Sequence, residues 1–195
     1  MKAWKKINSK IVYDSKYFKV RRDIVELPSK EKKEWTYWDS RDSAMVIGMT
    51  GKKELIMIKQ YRYLVKDEVI EFPSGSLNKN ENVRKAAKRE FREETGYEIK
   101  SPLLKLGLFY ETYGQLNRKI HLFFASNAVK SKQNFAADDD VNEETEVVLV
   151  NFNQAVKLAV ENKIVAMGSA LAVLLLKEKF NNLSFRPKGE IYNKR

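Results

Sequence analysis

An α/β fold, with a mixed sheet flanked by helices and a small antiparallel β region at the N-terminus, is predicted by three observations. The first third of the chain alternates in short segments between charged turns. Two apolar runs follow in the middle, and helical patterns with recognisable caps come after them.

In order, Lys10 to Tyr13, Tyr17 to Leu27 and Glu34 to Asp39 read as strands separated by Asp-Ser, Pro-Ser and charged turns. Ala44 to Thr50 and Glu54 to Tyr61 are apolar strands around a turn at Gly51. A helix follows, with Asn78 and Glu81 in capping-box spacing and Gly96 at its end. Leu103 to Tyr110 and Lys119 to Ser126 are two more strands; an acidic, Asn-rich loop and the strand Glu146 to Asn151 come next. Asn153 is placed to cap a helix over Gln154 to Glu161, and Ser169 a second reaching about Phe180. The organisation expected is an N-terminal β region over 1–42, a catalytic domain over 43–180 and a flexible basic tail over 181–195.

With 195 residues, 43% of them hydrophobic, the chain can bury one sizeable core. It has no cysteine and one histidine, His121, which argues against a disulfide framework and a zinc site. His121 sits between apolar neighbours on a strand and reads as structural. No secretory signal is visible, and the most apolar run, Ile164 to Leu176, is broken by Gly168 and Ser169 and too short to span a bilayer. A cytoplasmic enzyme is the expectation. The net charge of +11 predicts attraction to polyanions. Its lysines are scattered rather than gathered in one stripe with aromatics, so a dedicated nucleic-acid face is not indicated.

The chemistry concentrates between Gly75 and Tyr97, GSLNKNENVRKAAKREFREETGY. Glu90, Glu93 and Glu94 stand at i, i+3 and i+4, so a helix projects all three carboxylates from one face. Like charges that close repel, and one takes up a proton unless a cation intervenes. A hard divalent ion such as Mg²⁺, which prefers oxygen ligands, resolves the conflict. The negative end of the helix dipole adds modestly to its binding. Arg89 can pair with a neighbouring carboxylate and fix its rotamer. A solvated helix could carry a run such as REFREE for ordinary i to i+4 pairing. The joint spacing of Gly75, Glu81, Arg89, Glu90, Phe91, Glu93, Glu94 and Gly96 favours a site instead.

That spacing resembles the Nudix box, G-x5-E-x7-R-E-U-x-E-E-x-G-U, with U a bulky apolar residue; Tyr97 alone departs, being aromatic where an aliphatic is usual. The resemblance implies an α/β/α sandwich and metal-dependent hydrolysis of a nucleoside diphosphate linked to another moiety. It implies Glu90, Glu93 and Glu94 as metal ligands, with Mg²⁺ or Mn²⁺ as cofactor. Gln60 to Gly75, QYRYLVKDEVIEFPSG, is similar to the ADP-ribose pyrophosphatase and nucleoside diphosphate-sugar hydrolase branch. By that likeness Arg62 reaches the substrate phosphates and the Ser74 carbonyl joins the metal site. Glu71 binds a metal, contacts substrate or turns the chain.

The N-terminal strands, with VELPSKEKKEWTYWD, resemble the small domain these enzymes exchange across a two-fold homodimer, where aromatics such as Trp35, Tyr37 and Trp38 hold the base or pack. Glu143, with Glu144 as understudy, matches the branch's loop glutamate, a metal ligand or general base; a box glutamate such as Glu93 is the other candidate base. Where the branch has a Pro-Gly and a Ser-x-Glu segment, this chain has Tyr113 to Arg118, so Arg118 replaces a glutamate and can assist Arg62 at the phosphates. Tyr110 and Tyr113 stack on a base or pack. The expected substrate is ADP-ribose or another nucleotide sugar. The rivals are pyrophosphate removal from RNA 5′ ends or nucleoside triphosphates, and a catalytically silent nucleotide-binding module.

Overall fold

The computed structural model describes residues 2–16, 18–131 and 145–184. The chain divides into two compact units, Met1–Ser43 with Leu108–Ile120, and Ala44–Gly107 with His121–Arg195.

The first unit is built on an antiparallel sheet of β1 (Lys5–Asp14), β2 (Lys19–Glu26) and β3 (Lys32–Asp39), in that spatial order. Ser9 faces Asp23, which in turn faces Trp35. Strand β1 runs five residues earlier than Lys10, because its alternation of lysines with Ile7 and Ile11 is strand-like although almost none of it is buried. The Trp38 amide donates to the Gln115 carbonyl at 2.8 Å, which ties the segment before Arg118 to the end of β3.

The larger sheet has seven strands. Its main path is β12 (Thr145–Asn151), β5 (Glu54–Arg62), β4 (Ser43–Met49), β10 (Lys119–Ala125) and β9 (Leu104–Tyr110). β6 (Asp67–Glu71) pairs with β5, and the short β7 (Ser74–Ser76) with β4. Helix α1 (Val83–Thr95) follows β7 and leads into β8 (Tyr97–Ile99), which pairs with β11 (Ala128–Lys130) in a separate two-stranded ladder. Helices α2 (Phe152–Val160) and α3 (Met167–Ser184) are the last elements of the described residues.

Within the second unit the pleat sends alternate side chains to opposite faces. Val46, Ile56, Phe123 and Ala125 pack with Ala87 and Phe91 of α1. Phe124, the next residue along β10, meets Phe180 of α3 edge-on at 5.6 Å, and Phe152 meets the same ring at 5.2 Å. Helices on both faces explain why β4 and β5 read as continuous apolar runs rather than alternating ones. The expected α/β/α sandwich with its small N-terminal antiparallel sheet is the fold observed.

Several boundaries differ from the sequence expectation. Helix α1 is capped by Asn82, whose side chain accepts from the Arg84 and Lys85 amides, not by Asn78. Asn78 and Glu81 instead close a turn just before it: the Asn78 amide donates to Glu81 Oε2 at 2.8 Å and the Glu81 amide to the Asn78 carbonyl at 3.1 Å. Gly96 ends the helix at φ 68°, as its left-handed freedom predicts. Asn151, not Asn153, caps α2, because Phe152 is already helical. Ser169 caps nothing; it lies inside α3 and is fully buried. The β4–β5 turn does fall at Gly51, as expected, and Lys53 is its left-handed residue at φ 61°. The short strands β6, β7, β8 and β11 escaped the reading because three to five residues carry too little periodicity. Helix α3 runs to Ser184, so the expected tail begins inside it and lies, from 185, outside the described residues.

Candidate active site

The loop from Gly75 to Asn82 and helix α1 place the box side chains in two groups, both in the second unit. The first is centred on Arg89. Its Nε and Nη2 donate to the two oxygens of Glu81 at 3.0 and 2.9 Å, a bidentate fork, while Nη1 reaches Glu90 at 2.8 Å and Glu93 at 3.1 Å. Nη2 also meets the Ser76 carbonyl at 3.3 Å. Five donors thus find oxygen acceptors, and the guanidinium is held protonated, above all by Glu81. Sequence reasoning assigned Glu81 to a cap; its main partner is Arg89, eight residues on, and the fixed glutamate of the spacing pattern was the available signal.

The second group surrounds the Ser74–Gly75 turn. Glu94 Oε2 accepts the Ser74 amide at 3.1 Å. A Cβ on Gly75 would sit 2.2 to 2.4 Å from the carboxylate atoms of Glu90, so a side chain there would displace that carboxylate. Burial pushes the Glu94 carboxyl up to about 8, the charges of Glu90 and Glu71 add to the rise, and the Ser74 amide and Arg62 oppose it. Burial also raises Glu90, against the pull of Arg89. Glu71 Oε1 takes three donors: Gln60 Nε2 at 2.9 Å, Arg62 Nε at 2.8 Å and Arg62 Nη2 at 2.7 Å. Gln60, buried on β5, is a partner the sequence reading missed, although it stands in the same QYR run as Arg62.

Glu71, Ser74, Glu90 and Glu94 therefore gather with Arg62, whereas Glu93 faces Arg89. Among the described residues no three carboxylate or imidazole groups close around one point, since Arg89 draws Glu90 and Glu93 towards itself. The donor chemistry still fits a divalent cation. A part-buried Glu94 pushed up by burial and by the charge of Glu90 is what a positive charge would relieve, and the donors gathered here are oxygens. Glu90, Glu94 and the Ser74 carbonyl would hold such an ion.

The other expected residues fall in the first unit or outside the described residues. Arg118, in the first unit, is paired with Glu111 through Nε at 2.8 Å and Nη2 at 2.7 Å. Trp38 is 56% exposed, its ring 5.8 Å from Phe18, which lies 5.5 Å from Tyr13. Trp35 instead packs edge-on against Trp4 at 5.7 Å, and the Tyr37 hydroxyl donates to Asp23 at 3.2 Å. Tyr110 and Tyr113 are exposed. Glu143 and Glu144 lie outside the described residues.

The profile of the NUDIX domain matches residues 39–169, two thirds of the chain and the whole of this site. The chain belongs to the Nudix family. It is a Nudix hydrolase acting on pyrophosphate bonds, and Nudix hydrolases generally use divalent metals. A second profile, the nucleoside diphosphate sugar hydrolase N-terminal domain, matches residues 4–37. Among relatives, an ADP-ribose pyrophosphatase of Bacillus subtilis is 29% identical over 175 residues, 90% of this chain and 93% of that one. A methanol dehydrogenase activator of Bacillus methanolicus is 29% identical over 172 residues, 88% and 91% of the two chains. The crystal structure of an ADP compounds hydrolase shares the fold at a TM-score of 0.79 and 18% identity, covering 94% of this Nudix chain and 97% of the other.

Proposed function

We propose that the chain hydrolyses the pyrophosphate of ADP-ribose or a similar nucleotide sugar, releasing a nucleoside monophosphate and a sugar phosphate. The observation that carries this reading is the placement of Glu94, bonded to the Ser74 amide, with Glu90 beside the Ser74–Gly75 turn. The ADP-ribose pyrophosphatase of Bacillus subtilis, which spans nearly the whole chain, supports the choice of substrate.

Mg²⁺ or Mn²⁺, when bound, supplies Lewis-acid polarisation of the phosphoryl oxygens and lowers the pKa of a water. Glu90, Glu94 and the Ser74 carbonyl would hold it, with Glu93 completing the set. Arg89 orients Glu90 and Glu93 from behind, as its contacts at 2.8 and 3.1 Å favour. A water adds across the P–O–P bridge; Glu93 or Glu143 takes its proton, and the bridging oxygen leaves with the second phosphate. Arg62 binds the phosphates, its guanidinium aimed by Glu71. Arg118 assists there, and Trp38 offers its exposed ring to the base. We assign residues 1–42 to base binding and dimerisation, the region from 43 to the end of α3 to catalysis and the residues beyond it to a basic tail, in a cytoplasmic homodimer.

Product analysis tests this on ADP-ribose, other nucleotide sugars, nucleoside triphosphates and triphosphorylated RNA, with Mg²⁺ or chelator. The expected outcome is metal-dependent release of nucleoside monophosphate from a nucleotide sugar, lost by at least about 100-fold in Glu94→Gln. Cleavage of triphosphates or RNA alone would remove the substrate assignment.

A further inference from the structure

Between β6 and β7 the chain passes through Glu71, Phe72, Pro73 and Ser74, carrying the Glu71 carboxylate at one end and the Ser74 carbonyl at the other. Phe72 is fully buried, so its amide requires a protein acceptor. The β5–β6 register stops at Ile58 opposite Glu71 and supplies no ladder partner beyond it. The acceptor is the hydroxyl oxygen of Ser169 at 2.9 Å, 97 residues further along the chain and itself 0% exposed. Pro73 has no N–H and a fixed φ, and its carbonyl accepts the Val46 amide at 3.3 Å. The next amide, that of Ser74, donates to Glu94. The passage is thus pinned in succession by α3, β4 and α1.

We propose that Ser169 is a positioning residue for hydrolysis: by anchoring the Phe72 amide it fixes the peptide planes that present the Ser74 carbonyl beside Glu94. This rests on the reading of Ser74 and Glu94 as metal-holding groups. Ser169 lies outside the box and touches neither of them, so it acts through the backbone. An alanine there leaves a buried N–H without its acceptor, and the passage can recover a partner for it only by shifting.

The test is Mn²⁺ binding, followed by electron paramagnetic resonance without substrate, in wild type, Ser169→Ala, Ser169→Cys and Leu176→Val. Leu176 is buried on the same helix and serves as a control for lost stability. Ser169→Ala should bind Mn²⁺ about tenfold more weakly. Ser169→Cys, with its weaker acceptor, should fall between, and it carries the test if the alanine variant does not fold. Leu176→Val should bind as wild type does. Unchanged affinity in both Ser169 variants, or an equal loss in Leu176→Val, overturns the proposal. If Glu94→Gln binds Mn²⁺ as well as wild type, the metal reading itself falls. The positioning role is then decided by amide hydrogen exchange at Ser74: faster exchange in Ser169→Ala supports it, and unchanged exchange sinks it.

Discussion

Glu94 carries the sharpest conflict among the side chains: a part-buried carboxyl with the charges of Glu90 and Glu71 acting on it and the Ser74 amide donating to it. A carboxyl whose folded pKa lies above the unfolded value contributes stability at low pH. That contribution is lost as pH rises from the ordinary 4.5 through about 8. In chelator, the melting temperature of the wild type should therefore fall relative to Glu94→Gln across that window. Mg²⁺ should restore it at the alkaline end. Parallel pH profiles for the two proteins would refute the assignment. The triple carboxylate spacing foretold this crowding, but which carboxyl would hold the proton was not legible. That follows from depth of burial, which a helical wheel leaves open.

At the element scale, the approach of α1 to the sheet decides where every box side chain lies. Phe91 sits on the face of α1 opposite solvent and is fully buried, and on β4 it meets Gly48. A Cβ at Gly48 would lie 2.3 Å from Cζ and 2.4 Å from Cε2 of Phe91, against a ring that packing holds in place. Gly48→Ala should cost about 1 to 3 kcal/mol in urea denaturation through overpacking. Adding Phe91→Leu should recover part of that loss. A double variant no better than the sum of the two singles would show that the contact is not the cause. The caps of α1 were half legible: Gly96 was found, whereas the capping-box spacing of Asn78 and Glu81 drew the start of the helix to Asn78 instead of Asn82. Only the chain's exit from β7 makes Asn82 the first residue able to turn into the helix.

For the molecule as a whole, the first unit leaves Ile7, Ile11, Tyr13 and Trp38 exposed on a three-stranded sheet whose β1 is an edge. An edge strand of ten residues with that much apolar surface invites pairing with another chain. With the proposed homodimer, sedimentation should give twice the 22.8 kDa chain mass, and Ile11→Lys should bring it to the single-chain value. Wild type sedimenting at 22.8 kDa at micromolar concentration would rule the homodimer out. The division into units was only partly visible: the first region reads from the sequence as contiguous, yet Leu108–Ile120 folds with it. The bonds from Trp38 to Gln115 and from Ser40 to Asn117 join stretches more than seventy residues apart, and nothing in local periodicity encodes them.

The family, the helix that bears the glutamates and the apolar strands beneath it are legible from residue order alone, because they rest on local spacing and periodicity. Folding settled the partners: Glu81 grips Arg89, Gln60 and Arg62 converge on Glu71, and Ser169 is a buried acceptor for Phe72 instead of a helix cap. The physical reason is the same in each case. A polar group taken out of water must find a partner, and the fold, not the neighbouring sequence, supplies the partner.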